Sequence, residues 1–84
     1  GLDKKTLEQI SLYPNPTTGN VVIDFGILDG TKEIILYNLN GQQINSWATS
    51  KKQKLISLEE HTSGIYFVRI KHKDKSSYNK IVKQ

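Results

Sequence analysis

The stretch Leu12-Tyr13-Pro14-Asn15-Pro16-Thr17-Thr18-Gly19 decides how this chain is read. Two prolines frame one asparagine directly after a short apolar run, and a glycine then opens the next run. Each proline fixes φ and removes a backbone donor, the residue before each is held extended, and Gly19 permits a positive φ. The segment is a rigid corner between two strands. A corner short of donors belongs at the edge of a sheet.

Outward from this corner the chain breaks into short runs bounded by turn formers: 7–12, 20–25, 33–37, 42–47, 54–58, 65–72 and 77–82. No helical period is sustained. About seven antiparallel strands at this spacing predict an all-β fold of sandwich type. Alternation supplies the inward face: Val21, Ile23 and Phe25, then Ile34 and Leu36, Ile56 and Leu58, and Tyr66, Val68 and Ile70. Asp24, Glu33, Ser57, Arg69 and Lys71 take the opposite parity and are expected to face water. Val22, Ile35, Ile65 and Phe67 share that outer parity, so part of the outer face is expected to be covered. Ile44 and Trp47 stand three apart instead of two, which predicts a bulge or a side chain at the rim of the core.

Asn40-Gly41 separates two apolar runs and suits a type I′ hairpin turn, in which both central residues have φ > 0. Asp29-Gly30 is a second turn, and Lys73-Asp74-Lys75 joins the last two strands. Residues 1–6 lack a pattern and read as the remnant of a linker. Residues 7–84 form one domain, without an internal repeat.

Composition narrows the function. A chain of 84 residues buries roughly 60–65% of its unfolded surface, which leaves a thin core and no room for a catalytic cleft. Cysteine and methionine are absent, which excludes disulfides, thiolate metal sites and thiol nucleophiles. No apolar run approaches the roughly 18–20 residues that span a bilayer, and Gly1 does not begin a secretory signal. Charge is uneven. Residues 1–50 carry three lysines against five carboxylates, whereas 51–84 carry nine cations against three. Such a half could meet an anionic surface, although lysines on strand edges also keep a small sheet soluble.

Searches for chemistry end in ordinary explanations. His61 and His72 are the two imidazoles, and neither lies beside a nucleophile and an orienting group. Glu59-Glu60 is a loop pair without an apolar pocket. Asp24, Asp29, Asn38 and Asn40 could gather at one end of a sandwich as a calcium site, yet they match no ligand spacing and are common turn residues. Lys51, Lys52, Lys54, Lys71, Lys73 and Lys75 with Tyr78 make the best nucleic-acid patch, but no stacking motif accompanies them. Tyr13, Tyr37 and Tyr66 are expected to pack against sandwich corners. Trp47 is the aromatic left for a glycan or partner. Neither enzyme activity nor a metal or cofactor is expected, and nucleic acid is not an expected partner.

Three further motifs stand in register with the corner: Tyr37-Asn38-Leu39-Asn40-Gly41, Ser63-Gly64-Ile65-Tyr66 and the terminal Lys80-Ile81-Val82-Lys83-Gln84. Together they resemble the type A C-terminal sorting domains of the type IX (Por) secretion system. The family's opening corner is matched by Tyr13, Pro14, Asn15, Pro16 and Gly19, its middle turn by Tyr37 and Gly41, and its late strand by Gly64 and Tyr66. Lys80, Ile81, Val82 and Lys83 stand where the family closes. His61 departs from the pattern, replacing a leucine three residues before the late glycine.

The resemblance implies an immunoglobulin-like β-sandwich that carries a larger cargo on the same chain through the outer-membrane translocon, after which a sortase-like peptidase removes it. It implies a secreted or cell-surface protein that passes through the periplasm, with its inner-membrane export signal far upstream. Recognition is expected at Lys80, Ile81, Val82 and Lys83, through unpaired backbone groups of the last strand and its lysines. The alternative is an immunoglobulin-like carbohydrate-binding, protein-binding or spacer module.

Overall fold

The computed structural model describes residues 10–84. The linker expected at 1–6 and the start of the first expected strand, at 7–9, lie outside the described residues. Seven strands follow: β1 (Ser11–Tyr13), β2 (Asn20–Asp24), β3 (Lys32–Asn38), β4 (Gln43–Thr49), β5 (Gln53–Ser57), β6 (Gly64–His72) and β7 (Lys75–Lys83). They form two antiparallel sheets, ordered β1-β2-β5 and β4-β3-β6-β7. Labelled as immunoglobulin strands this is A-B-E against C′-C-F-G, so the expected sandwich is the one observed.

The inward residues read from alternation form the core. Val21, Ile23, Phe25, Ile34, Leu36, Ile56, Leu58, Tyr66, Val68 and Ile70 are all buried in one cluster. Leu28 and Ile81 join them, the first from a loop and the second from β7, whose polar residues hide its period. Ile44 and Trp47 are half-buried against the same cluster. Their odd spacing has the expected cause: the β3–β4 register passes from Leu36↔Asn45 to Tyr37↔Gln43, so Ile44 is the extra residue of a bulge.

Two turns depart from expectation. In the β3–β4 connection Gly41 alone takes a positive φ, of 84°. Asn38 builds this turn: its carbonyl accepts from Gly41 N at 3.0 Å, and its Oδ1 accepts from the backbone N–H groups of Asn40 and Gln42, each at 3.0 Å. The loop is therefore one residue longer than a type I′ turn, because the asparagine side chain replaces the second left-handed residue. In the last hairpin His72 pairs with Lys75 across a two-residue turn. Lys73 has φ 58°, a conformation that costs an L-residue about 1–2 kcal/mol.

Lys32 is fully buried, although the expected strand begins one residue later, at 33. It shares the inward parity of Ile34 and Leu36 at the first position of β3. Its Nζ donates to Leu28 O at 3.3 Å and stands 4.9 Å from the centre of the Phe25 ring. The side chain thus seals one end of the sandwich with its stem and holds the 25–28 loop with its tip.

Since the stem supplies the packing, Lys32→Met should leave the urea midpoint unchanged or raise it. Lys32→Ala should cost about 2–5 kcal/mol, as buried truncations do. Equal losses in both variants would assign the stability to the ammonium instead.

Candidate functional site

The sequence motifs converge on one end of the sandwich. β3 and β6 run antiparallel, so the Asn38–Gly41 turn stands beside Gly64 and Tyr66. Gly64 pairs with Lys83, and Lys83 forms a parallel bridge with Thr17. Pro14 to Gly19, Gly41, Gly64, Tyr66 and Lys83 therefore occupy one neighbourhood although they span most of the chain.

At its centre the proline corner closes over the outer edge of β7. Both Tyr13-Pro14 and Asn15-Pro16 are cis peptides. Between them the Asn15 side chain meets the backbone of β7: Nδ2 donates to Lys80 O at 2.7 Å, and Val82 N donates to Oδ1 at 2.9 Å. One amide thereby serves an acceptor and a donor two residues apart, as a neighbouring strand would. Thr17 continues the edge with its own backbone, donating to Val82 O at 2.9 Å and accepting from Gln84 N at 2.8 Å. Proline on either side leaves no competing donor.

Thr17 carries no marked signal in the sequence, yet it is buried and organises the turn. Its Oγ1 donates to Asn20 O at 2.7 Å and accepts from Gly19 N at 3.0 Å. Gly19 O then accepts from Leu58 N at 2.7 Å, and a Cβ on Gly19 would lie 2.7 Å from Cγ of Glu59. The glycine serves close approach to the 58–61 loop. A threonine in the variable part of a motif gives no signal in a single sequence, because its burial follows from the corner's three-dimensional path.

The late motif is anchored in the same way. Tyr66 OH donates to Thr62 O at 2.5 Å, the geometry of a tyrosine corner, and its ring meets His61 with centroids 6.0 Å apart. His61 is thus a half-buried partner of Tyr66. Gly64 has φ 148°, where an L side chain is strained. Tyr37 is half-buried on the outer face of the four-stranded sheet, opposite Phe67.

The expected recognition segment differs from the expectation at most of its residues. The edge of β7 is not open at Lys80, Val82 and Gln84, since the corner occupies it, and β-augmentation there would have to displace Asn15 and Thr17. Ile81 is fully buried in the core. Lys83 Nζ donates to the carbonyls of His61 and Glu59, the latter at 3.3 Å, and so ties the 59–61 loop to the last strand. Lys80 alone of the four presents an exposed side chain.

The remaining candidates disperse. Asp29 precedes β3 and Asn38 ends it, about 20 Å apart at strand rise, so the four residues considered for calcium do not meet. Among the described residues no group of three or more His, Asp or Glu side chains gathers as a metal site. His61 lies before the start of β6 and His72 is its last residue, and His72 Nε2 stands 2.6 Å from Asp29 O. Tyr13 is 44% exposed, contrary to the packed role expected of it, and its hydroxyl accepts from Gln53 Nε2 at 3.3 Å. Trp47 packs against the core and is no free platform.

A family model described as secretion system C-terminal sorting domain matches residues 11–84. The match begins at the first residue of β1 and covers every strand. The chain belongs to the family of type IX secretion C-terminal sorting domains. No curated protein matches it. Membership makes this chain a sorting signal of a secreted or cell-surface protein, working with type IX machinery on a cargo of the same polypeptide. The family is not one of enzymes. Among the described residues no helix is long and apolar enough to cross a membrane.

Asn15→Ala removes both side-chain bonds to β7 and should lower stability by about 1–3 kcal/mol in urea. Asn15→Asp keeps the acceptor for Val82 N but faces the Lys80 carbonyl without a donor, and should lose at least as much. Wild-type stability in both variants would mean that the side chain does not hold the strand.

At the far end, Asp24 is held below its ordinary value of 3.8, first by the hydrogen bond from Gln53 and then by that from Gly26 N, with a further contribution from the Lys52 charge. A depressed folded-state value contributes stability that is present above the unfolded value and lost as pH falls through the folded one. Melting temperature measured from about pH 5 to about pH 2 should therefore fall less steeply in Asp24→Asn than in the wild type. Parallel curves would contradict the assignment.

Proposed function

We propose that the folded sandwich, and not an extended tail, is the form in which this signal is read. In this reading the parent protein crosses the periplasm and the outer-membrane translocon of the type IX system engages the domain. A sortase-like peptidase then cuts in the linker ahead of it and transfers the cargo to a cell-surface lipopolysaccharide. The domain is a substrate in every step.

The observation that supports this reading is the enclosure of the terminal segment. Residues 80–83 are built into the fold on both edges, by β6 on one side and by Asn15 and Thr17 on the other, and Gln84 is held by Thr17. Residues 80–83 then act mainly by completing a shape, with Lys80 as the side chain left for direct contact. The family's glycines and prolines serve the same end, at a corner, a close approach and a strained φ.

A fluorescent protein carrying an inner-membrane signal peptide, placed ahead of residues 1–84, tests the reading in a host with a type IX system and in a strain lacking its translocon. Fluorescence at the surface or in the medium, dependent on the translocon and with the domain removed, is the expected result. Retention of the intact, folded fusion in the periplasm of both strains would overturn it.

A further inference from the structure

The outer face of the four-stranded sheet is the least explained surface of the molecule. Register sets its side chains in cross-strand rows: Ile35, Arg69 and Tyr78 in one, Tyr37, Phe67 and Lys80 in the next, and Ile65 with Val82 beyond them. Ile35 is buried among its neighbours, while Tyr37, Ile65, Phe67 and Val82 are half-buried, as expected for a partly covered face. Two residues stand proud of it. Tyr78 is 64% exposed, and Leu39, at the tip of the β3–β4 turn, is 63% exposed. Between them lies a groove of about 350 Å³ floored by Tyr37 and Phe67.

Charge on this face is mostly positive. Arg69, Lys71 and Lys80 are opposed by a single carboxylate, Glu33, which Lys71 already meets at 3.5 Å. Arg69 lies inside the apolar rows with its guanidinium carbon 5.6 Å from the centre of the Tyr78 ring. Its Nε is buried and, among the described residues, has no acceptor. A covered donor left unfilled costs free energy that a carboxylate would recover, and guanidinium binds carboxylate in a two-pronged fork. Aromatic side chains around an arginine are also the composition of the energetic centre of protein interfaces.

We propose that this face docks an acidic protein surface of the secretion machinery, seating one apolar partner side chain in the Tyr37–Leu39–Phe67–Tyr78 groove and a partner carboxylate on Arg69. The inference rests on the sorting function. A shift of the exposed Tyr78 ring opens Nε of Arg69 to the incoming carboxylate, and Lys80 provides a second cation at the rim. Lysine at position 80 then belongs to this face, beside Phe67, and not to an open strand edge. A lipid surface suits the arrangement less well, because the arginine is recessed within the rows instead of ringing them.

The test uses the fusion described above with four single variants: Leu39→Ser, Tyr78→Ser, Arg69→Gln and Lys80→Glu. Leu55→Ser is the control, being 57% exposed on the other sheet. Folding of each is checked by melting temperature. Lys80→Glu reverses an exposed charge and so reports even where an apolar change disturbs the sheet. The expected result is translocon-dependent export reduced about tenfold or more in folded face variants, a size set by the loss of one interface anchor, with the control unchanged. Wild-type export by folded Tyr78→Ser and Lys80→Glu overturns the docking face and leaves the sorting function standing. Equal loss in Leu55→Ser also overturns it. Failure of the wild-type fusion itself to be exported overturns the sorting reading, and this inference with it.

Discussion

The Asn15 amide lying across the outer edge of β7 is the contact on which the architecture turns. A final strand at the edge of a sheet has one partner and a row of open backbone groups, so it frays or recruits a second chain. Here the edge is closed by a corner of the same molecule through bonds that span 65 and 67 residues. Such bonds need both sheets in place, and each contributes about 0.5–1.5 kcal/mol net. Their weight lies in position. They join the β1–β2 corner of one sheet to the last strand of the other, where Ile81 completes the core.

From that constraint the neighbouring features acquire a purpose. Prolines at 14 and 16 fix the approach of Asn15 and remove donors that would compete for it. Thr17 sets the path to Gly19, and Gly19 brings the chain against the 58–61 loop that Lys83 ties down from the other side. Tyr66 secures the far end of the same loop at Thr62. A sorting domain built like this presents its terminal segment as part of a rigid surface, so the residues that mark the family are largely those that make the surface.

The strand count, the alternating core and the family were legible because each is a local pattern: period two, turn formers at short intervals, and an unusual proline-asparagine-proline corner. The rim role of Trp47 was legible for the same reason, since a three-residue spacing has few explanations. What stayed hidden depends on tertiary placement. Ile81 sits in a strand whose polar neighbours mask its parity, Lys32 is recognisable as buried only when the end of the sandwich is seen, and Thr17 has its importance from the route of the backbone. The β3–β4 turn was misread because Asn38 supplies, from its side chain, contacts that the sequence assigned to Asn40-Gly41. The open edge expected at the end of β7 was misread for a related reason. Nothing in residues 80–84 shows that residue 15 covers them.

Native-state hydrogen exchange of the unaltered protein tests the central claim most directly, because the clamp assigns an acceptor to each of three amides outside the β6–β7 ladder: Thr17, Val82 and Gln84. The account predicts that Val82 exchanges at a rate close to that of Ile81 in the core, with Thr17 and Gln84 also protected. Exchange of Val82 and Gln84 at the rate of an open strand edge, while Ile81 stays protected, would contradict it.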